Sequence, residues 1–284
     1  MEGTASTVRA FLLIQQPGPW GEDALADCRL PDALTGELTG RCAAAGVRPL
    51  LIRRHGREQP AGVRVFAAYA DPHEPWLETA VLDDVSALLD LDLAALGRGR
   101  SVGLPRSQDP IFCVCTHGRH DICCAELGRP LARALAQSHP QHTWECSHIG
   151  GDRFAGNLLQ LPDGLYYGRA DAASGPRIAS ARLAGHLDLE NLRGRAGYGF
   201  AIQAAEAHLR RHLDLTELGA LRLHEHSVDG ELTTAGFAVG EQRWLVTVRC
   251  TRAEPTRLTC RSATLRKPLR SEVVSIEQLD TPDR

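Results

Sequence analysis

Two short apolar runs, each ending in a knot of cysteine and histidine, constrain this chain more than anything else in it. The run 111–115 leads through Cys113-Val-Cys115-Thr-His117-Gly-Arg-His120-Asp-Ile-Cys123-Cys124, which holds four of the nine cysteines within twelve residues. The run 143–146 leads into Cys146-Ser-His148-Ile-Gly150-Gly151-Asp152-Arg153. Soft sulfur and imidazole donors gathered into two short loops point to a metal or redox centre, because a packed core has little need of them.

Several function classes are disfavoured by composition. The chain has 284 residues, enough for two domains or for one with a large extension, and 43% of them are hydrophobic. A net charge of -3 and a pI of about 6.5 give no general attraction to nucleic acid or to anionic membrane. Aromatics are only 5%, too few for a base-stacking platform. No apolar run reaches the length of a membrane span, and the first residues lack a secretory pattern. The expected compartment is the cytoplasm, where thiols stay reduced, and an odd number of dispersed cysteines is no disulfide scaffold.

The expected architecture is α/β (α+β) in three parts. Residues 1–105 read as an N-terminal α/β domain, with strands at 11–14, 47–52 and 63–68 and helices at 33–45 and 82–96. A Gly/Arg/Ser/Pro-rich break places a boundary near residue 106. Residues 106–195 read as strand (111–115), helix around 127–135 with Pro130 in its first turn, strand (143–146), hairpin (157–161 and 165–168) and helix (177–192). That order is compatible with a thioredoxin-like layout. Residues 196–284 read as a helix (200–212) followed by an antiparallel meander with strands at 221–227, 233–239, 244–249 and 257–262.

The clusters admit several chemistries. Cys115 and Cys124, with eight residues between them, and His148 and Asp152, with three, form two donor pairs. Two pairs suit a [2Fe–2S] cluster, in which each iron takes two protein ligands. A mononuclear zinc site could use Cys115, Cys124, Cys146 and His148, although compact Cys-x2–4-Cys spacing is lacking. Cys115-x-His117 with Cys146-x-His148 hints at a Rieske centre. A dithiol oxidoreductase would want a Cys-x-x-Cys, which is absent. Arg119 and Arg153 could steer an acidic partner, and His224 and His226 share one face of a strand. No P-loop, dinucleotide fingerprint or nucleophile elbow is present, so electrons would have to come from a partner.

The runs Cys115-Thr-His-Gly-Arg-His-Asp-Ile-Cys-Cys124, Ser147-His-Ile-Gly-Gly151, Arg153-Phe-Ala-Gly-Asn157 and Leu161-Pro-Asp-Gly-Leu-Tyr-Tyr-Gly168 together resemble the sucrase/ferredoxin-like family. Gln16-Pro-Gly-Pro-Trp-Gly21 and Gln203-Ala-Ala-Glu206 are similar to bacterial members. The resemblance implies a thioredoxin-like ferredoxin domain and a [2Fe–2S] cluster held by two cysteines and two histidines, working with a redox partner protein. The cysteines map onto Cys115 and Cys124 and the first histidine of His-x-Gly-Gly-His onto His148. Asp152 stands at the second histidine position. An anionic carboxylate there lowers the expected potential and weakens proton coupling relative to a second imidazole. Nothing resembles a paired-carboxylate glycosidase site.

Overall fold

Strands β1 (Ala10–Gln15) and β6 (Ile111–Cys115) are buried along their whole length. Continuous apolar runs of this kind sit in the middle of a sheet covered on both faces. The structure is a computed structural model that describes residues 1–56, 62–260 and 263–279. After β1 come α1 (Asp32–Ala45), β2 (Val47–Arg53), β3 (Val63–Tyr69), β4 (Trp76–Leu82), α2 (Leu93–Gly97) and β5 (Arg106–Ser107). After β6 come α3 (Ile122–Ser138), β7 (Thr143–Cys146), β8 (Leu158–Leu161), β9 (Leu165–Tyr167), α4 (Ser174–Leu183) and β10 (Leu192–Arg195). All ten strands form one sheet in the order β10-β9-β8-β6-β7-β2-β1-β3-β4-β5.

Within that order lies a duplication. In the second half β6 runs parallel to β7 and antiparallel to β8, and β8 pairs with β9, giving 9-8-6-7. In the first half β1 runs parallel to β2 and antiparallel to β3, and β3 pairs with β4, giving 2-1-3-4. Each is the strand order of a thioredoxin-like fold. The halves meet edge to edge through antiparallel β2 and β7, at Ile52–Cys146 and Arg53–Glu145. The strands on either side of the expected boundary near residue 106 thus belong to one sheet.

Each half keeps a private core under its helices, with Leu12, Ile14, Leu38 and Leu96 in the first and Phe112, Val114, Leu131 and Ile178 in the second. The opposite face of the sheet carries one core common to both, in which Phe11, Leu50 and Phe66 pack with Cys113, Trp144 and Leu159. The extension consists of α5 (Phe200–His212) laid on a four-stranded antiparallel sheet in the order β11 (Arg222–Asp229), β12 (Leu232–Val239), β13 (Gln242–Arg252), β16 (Leu269–Leu279). Between β13 and β16 the chain makes a ribbon of β14 (Thr256–Arg257) and β15 (Leu265–Arg266). Among the described residues no helix is long and apolar enough to cross a membrane.

Four expectations need correction. Residues 82–96 are not one helix: Asp84 accepts from Ser86 N at 2.7 Å and Asp92 from Ala95 N at 2.8 Å. Each aspartate starts a short turn of its own, so the leucine-rich run breaks into a 3-10 turn and α2. The helix expected at 177–192 starts earlier and stops at Gly185, which takes φ +84, and Leu192 already belongs to β10. Helix α3 begins at Ile122, so Pro130 lies inside it. Pro130 and Glu126 both face solvent, where water can satisfy the Glu126 carbonyl that Pro130 cannot. Finally, the fourth meander strand is β16 rather than 257–262, a span of which residues 261 and 262 lie outside the described residues.

Candidate metal centre

Parallel strands β6 and β7 end side by side, with Cys115 opposite Cys146. Loops leaving the carboxyl ends of parallel strands are where α/β sheets build ligand sites, and both Cys/His knots are such loops. The first knot turns at once into α3, which lies so close to β6 that a Cβ on Gly128 would fall 2.0 Å from the Cys115 carbonyl oxygen. Only glycine allows this approach, and it brings Cys124, on the first turn of α3, against Cys115. The second knot is the Gly150-Gly151 loop, in which both glycines take positive φ. A Cβ on Gly151 would meet the Arg193 guanidinium at 2.4 Å.

This loop is fixed from several sides. Arg48 of β2 donates to the His148 carbonyl at 2.9 Å, and Arg193 of β10 donates to the Gly150 carbonyl at 3.1 Å and to Asn157 Oδ1 at 2.8 Å. Ser147 and Leu51 exchange bonds, Ser147 N–H to the Leu51 carbonyl and Leu51 N–H to Ser147 Oγ. Both thioredoxin-like halves therefore hold the donor loop.

The donors converge. Cys115 Sγ, Cys124 Sγ and a His148 ring nitrogen lie within 4.8 Å of one another. Asp152 Oδ1 is 3.7 Å from Cys124 Sγ and 3.2 Å from His148 Nδ1, and Cys124 Sγ is 4.0 Å from the same nitrogen. Donor atoms of Cys124, His148 and Asp152 thus lie within 4.0 Å of one another, and Cys115 joins Cys124 and His148. Its contact with Cys124 holds Cys115 well below the usual thiol range in spite of its burial, while the same contact and burial push Cys124 up. Burial raises the Asp152 carboxyl, with help from the charges of Asp121 and Cys115 and against that of His148. An anion-rich, desolvated pocket that already shares charge among its sulfurs is the kind of site a cation stabilises.

The remaining candidates separate by geometry. His117 uses both ring nitrogens: Nε2–H donates to the Gly21 carbonyl at 2.6 Å and Nδ1 accepts from His148 N–H at 3.3 Å. It is a brace for the second knot, which removes the Rieske pairing. Cys113 and Cys146 are fully buried in the common core, and burial pushes both thiols up. Neither belongs to a donor group among the described residues, so the zinc set with Cys146 is not assembled. Arg119 and Arg153 are exposed nearby, with Arg153 over the Phe154 ring at 4.6 Å. His224 and His226 lie on β11, in the sheet of the extension.

One donor escaped the sequence reading. The His120 ring stacks on that of His148 with centroids 3.8 Å apart, and a His120 nitrogen joins His148 and Asp152 in a second group within 4.8 Å. Its position between Cys115 and Cys124 was the available signal. Arg48 and Arg193, which hold the loop, sit far away in sequence and carried none.

Two halves with thioredoxin-like strand order, and Cys/His/Asp loops at the ends of parallel strands, define a class of mixed α/β protein with a candidate metal site. Residues 1–194 match the sucrase/ferredoxin-like family, and the chain belongs to it. It is also similar to the protein named "Altered inheritance of mitochondria protein 32" of Meyerozyma guilliermondii, 31% identical over 71 residues, which are 22% of this chain and 25% of that protein. No solved structure matches the chain.

Proposed function

We propose that this protein is a [2Fe–2S] electron carrier, in which Cys115 and Cys124 hold one iron and His148 and Asp152 the other. The observation that supports the reading is the clustering of these donors, with Cys115, Cys124 and His148 in one group and Asp152 beside Cys124 and His148. When bound, the cluster supplies a site for a single electron. The protein does the rest. Gly128 and the Gly150-Gly151 loop set the spacing of the donors. Burial of Asp152 and of both cysteines excludes water. His148, whose side chain is 19% exposed, is the donor through which a partner would approach. Its iron, with ligands that carry less negative charge than two thiolates, is the reducible one.

Beside α3 runs a cleft lined by Trp20, Arg119, Ile122, Arg129 and Arg133. Its cationic rim and exposed Ile122 suit the acidic face of a redox partner protein. Arg153 lines a separate cleft together with His148 and Asp152 and adds positive charge there.

A second reading has an observation of its own. Separations of 3.2, 3.7 and 4.0 Å among His148, Asp152 and Cys124 are those expected of donors around a single tetrahedral ion. That reading makes Cys115, Cys124, His148 and Asp152 a zinc site without redox activity. Protein purified without oxygen decides between them. A brown protein with two irons and two sulfides per chain, bleached by dithionite, is the expected result. A colourless protein with one zinc per chain overturns the carrier.

A further inference from the structure

Cys123 and Cys124 are neighbours on the first turn of α3, and successive helical side chains point about 100° apart. Cys124 faces Cys115. Cys123 faces the C-terminal extension, where Cys260 meets it. Cys260 is carried there by the β14/β15 ribbon, which leaves the extension's sheet and returns to the start of α3. The meeting point is Asp121, fully buried, whose Oδ2 accepts from Cys260 N–H at 2.7 Å and whose Oδ1 lies 3.4 Å from Cys123 Sγ. Burial works against the charge of Asp121, but the bonds from Cys260 and Cys123 outweigh it and hold the carboxyl below its usual range. The two sulfurs and the carboxylate oxygen lie within 4.8 Å of one another. Cys123 is half-buried and Cys260 exposed. Next to Cys260, Leu258 and Thr259 wall the cleft that opens on His148 and Asp152.

We propose that Cys123 and Cys260 form a reversible disulfide that fastens the ribbon over the mouth of the metal centre. A disulfide needs its sulfurs at about 2.05 Å, against a separation here of no more than 4.8 Å, and the exposed Cys260 side chain is the one with room to turn. The oxidant is a low-molecular-weight disulfide such as oxidised glutathione. The Cys260 thiolate attacks one sulfur of that disulfide, forms a mixed disulfide and expels one small thiolate. Cys123, whose thiol is pushed up by burial, by its contact with Cys260 and by the charge of Asp121, then attacks Cys260 Sγ as it loses its proton, forms the protein S–S bond and expels the second small thiolate, which takes that proton. Two protein thiols are oxidised, one small disulfide is reduced to two thiols, and the protons from Cys123 and Cys260 go to the departing thiolates. Cys260 lies outside residues 1–194 while Cys123 and Asp121 lie inside, so the latch joins the extension to the family region. It rests on the metal-centre reading only for what it covers.

The test uses the full-length protein as purified, equilibrated with mixtures of oxidised and reduced glutathione. On oxidation the thiol count is expected to fall by two, with a Cys123–Cys260 linked peptide in the non-reduced digest. Metal transfer to a chelator is expected to slow at least fivefold and to recover on addition of dithiothreitol. Cys260→Ser, at an exposed position, is expected to lose both the linked peptide and the slowing. Absence of the linked peptide overturns the proposal, as does its formation without slower metal transfer. An additional zinc per chain that Cys260→Ser abolishes also overturns it, in favour of metal at Asp121, Cys123 and Cys260. Iron and sulfide content, measured on the same samples before oxidation, reports on the carrier reading and does not depend on the latch.

Discussion

Asp152 is the residue on which the chemistry turns. It is buried, 3.2 Å from His148 Nδ1 and 3.7 Å from Cys124 Sγ. Exchanging it for histidine removes one anion from the donor set, and the two-histidine Rieske centres show the direction of the effect. Asp152→His is expected to raise the midpoint potential by on the order of 100 mV and to steepen its fall with pH, read in a spectroelectrochemical titration. An unchanged potential and spectrum would remove Asp152 from the ligands. In that case His120, stacked on His148, becomes the fourth donor, and His120→Ala is the variant that loses iron. Cys115, Cys124, His148 and Asp152 could be proposed from the sequence because each lies in a short motif whose spacing carries meaning. His120 sat in the same motif but looked incidental, because its role depends on how the Cys115–Cys124 loop folds back on His148. Cys260 was hidden altogether, since it reaches the site only through tertiary structure.

At the scale of elements, the register of α3 against β6 determines whether the cysteines meet. A methyl group on Gly128 would collide with backbone, the Cys115 carbonyl at 2.0 Å, which cannot turn aside as a side chain could. Gly-to-Ala inside a helix gains about 1 kcal/mol in propensity, whereas overpacking costs about 1–3 kcal/mol. Gly128→Ala is therefore expected to lower stability and bound metal together, measured by urea midpoint and metal analysis. Gly36→Ala in α1, where the added Cβ meets nothing within 4 Å, is expected to raise stability by about 0.5–1 kcal/mol. Helix α5 is held by charge: Glu206, fully buried, takes Arg195 of β10 at 3.3 Å and Arg210 at 3.0 Å. Burial alone would raise its carboxyl, but the two guanidiniums more than reverse this and hold it below the ordinary range. A depressed folded pKa stabilises the fold fully above the unfolded value near 4.5, and that contribution is lost as pH falls through the lower folded value. Glu206→Gln leaves two buried cations uncompensated, at about 3–5 kcal/mol near neutral pH. The gap between variant and parent is expected to narrow below pH 4.5, in urea titrations run across that range. Periodicity found α5 at its observed bounds but misread 82–96, because apolar spacing cannot see two aspartates capturing backbone N–H groups.

For the molecule as a whole, the duplication decides how it unfolds. Nothing in the sequence shows it, since the halves share strand order rather than residues: β1 carries Phe-Leu-Leu-Ile where β6 carries Phe-Cys-Val-Cys. Two ancestral-looking domains would ordinarily be expected to melt apart. Here the β2–β7 pairing is short, but what crosses it is not. Phe66 of the first half meets Trp144 of the second edge to face at 5.5 Å, in a core that contains residues of both. Glu145 takes Arg53 at 2.8 Å, His55 at 2.8 Å and Thr116 at 2.8 Å, so one buried carboxylate ties strands from each side. Separation would expose that core and strand the charge, at a cost comparable to the whole stability of an ordinary domain, about 5–15 kcal/mol. Strands β1 and β6 should therefore exchange their slowest amide protons only through one common opening. Hydrogen exchange at increasing urea is expected to give both strands the same opening free energy and the same denaturant slope. The β14/β15 ribbon, exposed and paired by two residues on each strand, should open first and independently. A lower free energy and shallower slope for β1 than for β6 would mean that the halves unfold separately. The donor loop, held by Arg48 from one half and Arg193 from the other, would then loosen whenever the first half opened.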